Sequence, residues 1–272
     1  MSAQREKADR FQELHHGYAP LLLPNAWDQG TARVFASLGF VALATTSAGH
    51  AATLGRLDGS VTRDEALAHA ASIVEATSLP VSADLENGFA DEPGEVAANV
   101  ELAAETGLAG LSVEDHTGRE EDPIYPAGLA AERVAAAAEA AHGTQARLVL
   151  TARAENYLHR RRDLGDTIAR LQSFQAAGAD VLYAPGLTEI DDIRQVVASV
   201  DLPVNVLAFP GGPNVSELAA VGVKRVSVGG AFNRVALGAV ANAARELRDE
   251  GTFGWSDLAR TGHEVARAAF TA

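Results

Sequence analysis

The sequence predicts an α/β fold in which about eight strand–helix units close into one (β/α)8 barrel of the TIM type. Three observations predict it. Short β-rich runs alternate with longer helix-patterned segments along the whole chain. Most of those runs are nearly continuous in apolar residues, as strands covered on both faces require. Helix-patterned segments also end repeatedly in a glycine just before the next run, in "LGF", "TGLAG", "AGAD" and "VGVK".

The expected strands are 21–27, 40–47, 79–86, 109–116, 146–155, 179–185, 202–210 and 223–230. Between them, "TRDEALAHAASIVEATS" opens on a capping box, Thr62 with Glu65. Its Ala66, Ala70 and Ile73, with Leu67 and Val74, recur at helical spacing. "NVSELAAVG" repeats the box with Asn214 and Glu217 and stops at Gly222. "LGDTIARLQSFQAAGAD" stops at Gly178. The rival architecture, an open doubly wound sheet, calls for G-x-G-x-x-G after its first strand; "PNAWDQG" stands there instead. Residues 1–272 read as a single barrel domain, with a helical extension over about 231–272. Its last helix has an apolar face of Leu258, Val265, Ala266, Ala269 and Phe270, which must dock on its own barrel or on a neighbour.

Composition narrows the function. The 272 residues are 47% hydrophobic, enough for one large core, and the formal charge of −14 argues against nucleic-acid or anionic-membrane partners. The absence of cysteine excludes disulfides, thiolate metal sites and a cysteine acid or nucleophile. The first residues lack an apolar signal core, and no apolar run approaches the roughly 18 residues of a membrane span. A cytoplasmic protein is expected.

In a barrel, reactive groups sit at the carboxyl ends of the strands. There the sequence puts Thr46 and Ser47, Asp84 and Glu86, Glu114 and Asp115, Arg153 and Glu155, and Asn205. Carboxylates crowded together repel and raise one another's pKa unless a cation sits among them. Mg2+ suits such a set because it takes oxygen ligands and keeps several waters, with Mn2+ as the alternative. Arg153 suits a substrate carboxylate or phosphonate, or equally the neutralisation of Glu155. Thr46, Ser47 and the backbone around Ala48 and Gly49 suit a second anionic group. Simpler readings stand beside these. Asp58 and Asn87 read first as turn residues, "HRRRD" (159–163) as a solvated helix end with a phosphate site as the alternative, and His15 and His16 as surface residues.

The ordered set "LGFVALATTSAGHA", "LGRLDG", "PVSADLENGF", "GLAGLSVEDH", "LTARAENY", "AGADVLYAPG" and "GVKRVSVGG" resembles the isocitrate lyase and phosphoenolpyruvate mutase superfamily over nearly the whole chain. The resemblance implies a barrel whose last helix is exchanged between subunits of a homo-oligomer, a dimer or a tetramer. It implies Mg2+ and a small 2-oxo acid or dicarboxylate. Asp84 matches the metal-binding aspartate, Glu86 and Glu114 match acids that hold the metal through water, and Asp58 matches an aspartate near it. Thr46, Ser47, Ala48 and Gly49 match the stretch that binds the substrate carboxylate. Arg153 matches a substrate-binding arginine and Asn205 an asparagine for a second carboxylate.

This chain also departs from the pattern. Lyases carry a mobile loop whose cysteine is the general acid; here that loop reads "TGREEDPIYPAG" (117–128). Glu120, Glu121 and Tyr125 are its local proton donors, and Glu121 is the candidate for testing. Glu86 replaces a common Asp, Pro185 stands where mutases have His and lyases Glu, and Ala44 replaces Trp or Tyr. The expected function is Mg2+-dependent cleavage of a C–C or C–P bond beside a 2-oxo carboxylate. Isocitrate lyase-like and oxaloacetate decarboxylase-like reactions are included, and mutase or phosphonopyruvate hydrolase chemistry is the alternative. A reading of a different class is a low-turnover 2-oxo acid binding protein. A Schiff-base aldolase is disfavoured, because the chain's lysines, Lys7 and Lys224, precede or open strands.

Overall fold

The computed structural model describes residues 2–271. Its strands are β1 Leu21–Leu23, β2 Asn25–Ala26, β3 Leu43–Thr45, β4 Val81–Asp84, β5 Gly110–Glu114, β6 Val149–Arg153, β7 Val181–Tyr183, β8 Val204–Leu207 and β9 Arg225–Ser227. Its helices are α1 Ala3–Leu14, α2 Gln29–Ser37, α3 Ser47–Thr53, α4 Arg63–Ala76, α5 Pro93–Ala104, α6 Ala127–Gly143, α7 Leu164–Ala176, α8 Ile190–Ala198, α9 Val215–Ala220, α10 Ala231–Asp249 and α11 Ser256–Phe270.

All pairings in the nine-stranded sheet are parallel, in the order β1-β9-β8-β7-β6-β5-β4-β3-β2. The extra strand has a simple origin. The expected run 21–27 is cut at Pro24, which has no N–H to give. The half before it pairs with β9 and the half after it pairs with β3. Pro24 still accepts from Ala44 N at 2.9 Å. Both edges of the sheet therefore belong to one stretch of chain, and the barrel nearly closes on it.

Helix starts follow the expected chemistry. Thr62 with Glu65 and Asn214 with Glu217 form reciprocal capping boxes, and Asp28 with Thr31 forms a third. The expected strand 40–47 ends early, and helix α3 begins at Ser47. Thr46 accepts from Gly49 N and starts α3. Gly49 is needed because a Cβ would lie 2.5 Å from Thr46 Cγ2 and 2.9 Å from Trp27 Cβ. "HRRRD" likewise precedes a helix, with Asp163 as the N-cap of α7.

The main core lies between the sheet and the surrounding helices. A second cluster plugs the amino end of the barrel, where Phe11 of α1 meets Leu21, Leu23, Ala109, Val149 and Val181. Gly110 makes room for that ring, since a Cβ there would lie 2.9 Å from Phe11 Cε1. His15 follows the plug inward. It is fully buried, contrary to the surface position expected, with its ring edge-on to Phe11.

At the other terminus, α11 lies against α2 of the same chain, and Phe270 reaches within 3.6 Å of where a Cβ on Gly30 would be. Exchange of this helix between subunits is not shown by the single chain. Among the described residues no helix is long and apolar enough to cross a membrane.

Candidate active site

The inward-facing polar residues come in pairs two apart on their strands, so each pair shares one face. Ser82 and Asp84, Ser112 and Glu114, Thr151 and Arg153, and Arg225 and Ser227 occupy β4, β5, β6 and β9. The second member of the first three pairs stands at the strand's carboxyl end. Six of these eight, all but Glu114 and Thr151, line a cavity of about 240 Å³, lined also by Asn25, Ala44, Thr46, Ser47, Ala48, Asp58, Tyr183, Phe209 and Arg234. A larger groove of about 580 Å³ lies beside the end of α1, around Leu14, Leu21, Leu38 and Phe40, away from the strand-end acids.

Arg153 is the hub. Its Nη1 donates to Asp84 Oδ1 at 2.8 Å, its Nη2 lies 2.9 Å from Glu114 Oε2, and its Nε donates to Glu155 Oε1 at 2.8 Å. Asp84 Oδ2 accepts from the backbone N and the hydroxyl of Ser47, at 3.1 and 3.0 Å. Asp84, Glu114 and Arg153 thus meet, and Glu155 joins them. Arg153 is committed to acids and is not held open for a substrate. Ser47 likewise holds Asp84.

Electrostatics follow from crowding. Burial, and then Glu155, Asp84 and Glu86, push the Glu114 carboxyl well above its usual range against the pull of Arg153. Burial also raises Glu155 despite Arg153. Burial alone would lower Arg153, but Glu114, Glu155 and Asp84 more than reverse it. Glu86 sits just past β4 in the left-handed region, at φ 47°. It is pushed up to about 8 by burial first, then by Asp84 and Asp58. Its Oε1 is buried with no hydrogen-bond partner, beside a hollow of about 10 Å³ shared with Asp84, Ser47 and His50.

These residues fit a divalent cation. The candidate ligands are all oxygen, three carboxylates pair with one guanidinium, and a fourth, Glu86, has an orphaned oxygen. Among the described residues no three acids or histidines converge closely enough to ligate an ion by themselves. Mg2+ is commonly held by one or two carboxylates and completes its shell with water and substrate.

Other expected residues sit elsewhere. Asp115 turns away from the mouth: its Oδ1 accepts from Glu155 N at 2.8 Å and its Oδ2 pairs with Arg170 at 3.0 Å. Asp58 is exposed at the rim, in a turn where it accepts from Gly59 N. Asn205 is buried, gives its Nδ2 to Ser227 and takes Arg225 Nε on Oδ1. Ala48 and Gly49 lie in α3, and Ala48 lines the cavity.

Segment 117–128 is tied down. His116 bridges Ile124, Thr117 bonds Asp122 and Pro123, and the Tyr125 hydroxyl donates to Asp91 from a buried position. Glu120 and Glu121 are exposed, and neither lines the cavity. Sequence reasoning missed Arg225, Ser227 and Tyr183. The two-residue polar spacing within "VKRVSVGG" is the signal that finds Arg225 and Ser227.

A nearly closed parallel barrel with acids and an arginine at its strands' carboxyl ends has the architecture of a TIM-barrel enzyme site. The comparisons identify the kind. A profile of the phosphoenolpyruvate phosphomutase family matches residues 11–248, and the chain belongs to that family, within the isocitrate lyase and phosphoenolpyruvate mutase superfamily. It is similar to a candidate lyase/mutase of Burkholderia cenocepacia J2315, at 53% identity and a TM-score of 0.94 over 97% of this chain and 96% of that one. The 2-methylisocitrate lyase of Halalkalibacterium halodurans is 29% identical over 92% of this chain and 85% of the relative. The oxaloacetate decarboxylase of Chromohalobacter salexigens is 27% identical over 91% and 87%.

Proposed function

We propose that the protein is a Mg2+-dependent, lyase-type enzyme that breaks a C–C or C–P bond beside a 2-oxo carboxylate. The observation that carries this reading is the convergence of Asp84, Glu114 and Glu155 on one arginine, with the Oε1 of neighbouring Glu86 left unpartnered. Asp84 would hold the metal directly, and Glu86 and Glu114 through water. When bound, Mg2+ supplies a Lewis acid for the negative charge of an enolate. Arg153, released in part from the acids it now binds, orients the substrate carboxylate with Ser47 and Thr46. Glu114 and Glu155 keep Arg153 in place. Burial within the barrel keeps bulk water from the reacting carbon.

The named relatives support cleavage chemistry, since they include a 2-methylisocitrate lyase and an oxaloacetate decarboxylase. The mutase and hydrolase readings share the enolate and stay as alternatives. A second class of reading, a 2-oxo acid binding protein of low turnover, is favoured by one observation: the tied segment 117–128 places no acid over the cavity. We further propose a small-molecule substrate and a homo-oligomer, supported by the exposed apolar side chains of Val235, Val240, Leu258 and Phe270 on the last two helices.

A panel of 2-oxo acids and malate-type acids assayed with Mg2+ tests the reading. Product formation that disappears on chelation supports it. Tight oxalate binding without product selects the binding protein. No binding and no turnover with any member refutes both.

A further inference from the structure

α3 and α4 hold two imidazoles face to face beside the acid cluster. His50 and His69 stack with ring centroids 4.0 Å apart and planes 10° from parallel. His69 is buried, and its Nε2 lies 3.0 Å from the carbonyl of Trp27. A carbonyl can only accept, so this nitrogen carries the proton of the ring. His69 is thus fixed, and it fixes the plane of His50 in turn. The backbone N of His50 donates to the carbonyl of Thr46 at 3.0 Å, in the same helical turn as the Ser47 that holds Asp84.

His50 Nε2 is buried and has no protein partner, and the same is true of Glu86 Oε1. Six buried side-chain polar atoms share that condition among the described residues, and these two belong to residues that line one hollow of about 10 Å³. Buried polar atoms are nearly always satisfied. A hollow of this size is about the room one water needs. Its wall is polar enough to hold one: Ser47, Asp84 and Glu86 bring oxygens and His50 a nitrogen, while Val61 and Ala66 complete it.

We propose that His50 holds a water in this hollow against Glu86 Oε1, and is thereby the positioning residue that aims Glu86 at the metal site. This deepens the reading given above, in which Glu86 reaches Mg2+ through water, and it rests on that reading. One shared water satisfies both buried atoms at once. Glu86 is then held from the α3 side, as Ser47 holds Asp84. His69 acts behind His50 by keeping its ring in plane.

The test combines a crystal structure of the ligand-free protein, in which ordered water is visible, with Mn2+ titrations in the presence of oxalate. Free Mn2+ is followed by electron paramagnetic resonance. The structure is expected to show one water within hydrogen-bond distance of both atoms. His50→Phe keeps the stack on His69 and removes the nitrogen. Its Mn2+ affinity is expected to fall by about 10- to 100-fold, as for the loss of a partner behind a metal's ligands. The amide of His50→Gln reaches about as far as Nε2. This variant is expected to bind Mn2+ within about 3-fold of wild type, less than one neutral hydrogen bond is worth. If the ring mattered only as packing, Phe would be the better replacement and Gln the worse.

A His50→Phe affinity within about 2-fold of wild type, well under one hydrogen bond, overturns the role of His50 and leaves the metal reading standing. So does a dry hollow in the crystal, or a Mn2+ ion in the hollow bound directly by His50 Nε2. Should His50→Phe fail to fold, the ligand-free structure and His50→Gln decide: a bridging water with near wild-type affinity in His50→Gln supports the role, and a dry hollow or a large loss in His50→Gln overturns it. No Mn2+ binding by wild type overturns the metal reading, and the aiming of Glu86 with it.

Discussion

Replacing Arg153 with Met removes the cation that pairs with Asp84, Glu114 and Glu155. Three of its contacts, at 2.8, 2.9 and 2.8 Å, join carboxylates whose side chains are 2 to 16% exposed. Removing one partner of a buried ionic network typically costs about 3–5 kcal/mol, because the charges left behind have lost their counter-ion. At about 2–4 °C per kcal/mol for larger domains, the melting temperature should fall by roughly 6–20 °C.

The loss should also depend on pH. Arg153 lowers the pKa of Glu114 and of Glu155, both raised overall by burial. Without it they rise further, so the native state binds more protons than the unfolded state. Stability then falls as pH rises through the ordinary carboxylate range and beyond. Thermal unfolding followed by circular dichroism at pH 5 and pH 8 should show the gap between variant and wild type narrowing at the lower value. A loss under about 1 kcal/mol, the worth of an exposed pair, or a gap unchanged with pH, would show that Arg153 does not organise these acids.

Other outcomes follow from single contacts. Asp84→Ala should abolish Mg2+-dependent oxalate binding by titration calorimetry; retained binding would remove the metal site. Phe11→Ala empties the plug at the amino end of the barrel and should cost about 3–5 kcal/mol in urea unfolding. Gly49→Ala forces a methyl against Thr46 and Trp27 and should cost roughly 1–3 kcal/mol, with weaker oxalate binding because Ser47 can no longer hold Asp84 in place. His15 and His69 are held down to about 3 and about 4, mainly by burial. The unfolded chain protonates them first, so stability present above about pH 6.5 should be lost progressively as pH falls toward 4. His69→Phe should flatten that slope in acid titrations of unfolding.

Much of this molecule is written locally. Continuous apolar runs dictate strands covered on both faces. The Thr62–Glu65 and Asn214–Glu217 boxes set where helices begin, and Asp84, Glu114 and Arg153 fall at strand ends because period-two spacing puts them on the inner face. Such features depend on neighbours within a turn or two of chain, and the sequence by itself determined them. Partner choice lies beyond that range. Whether Asp115 serves the mouth or Arg170, whether Tyr125 is a free acid or is bound to Asp91, and how Pro24 splits the closing strand depend on segments tens of residues apart. Barrel closure alone brings those segments together. His15 and Arg225 show this most clearly, since they are 210 positions apart in sequence and 3.3 Å apart in space. Only the tertiary structure decided that contact, because side chains from distant strands meet according to the curvature and stagger of the closed sheet.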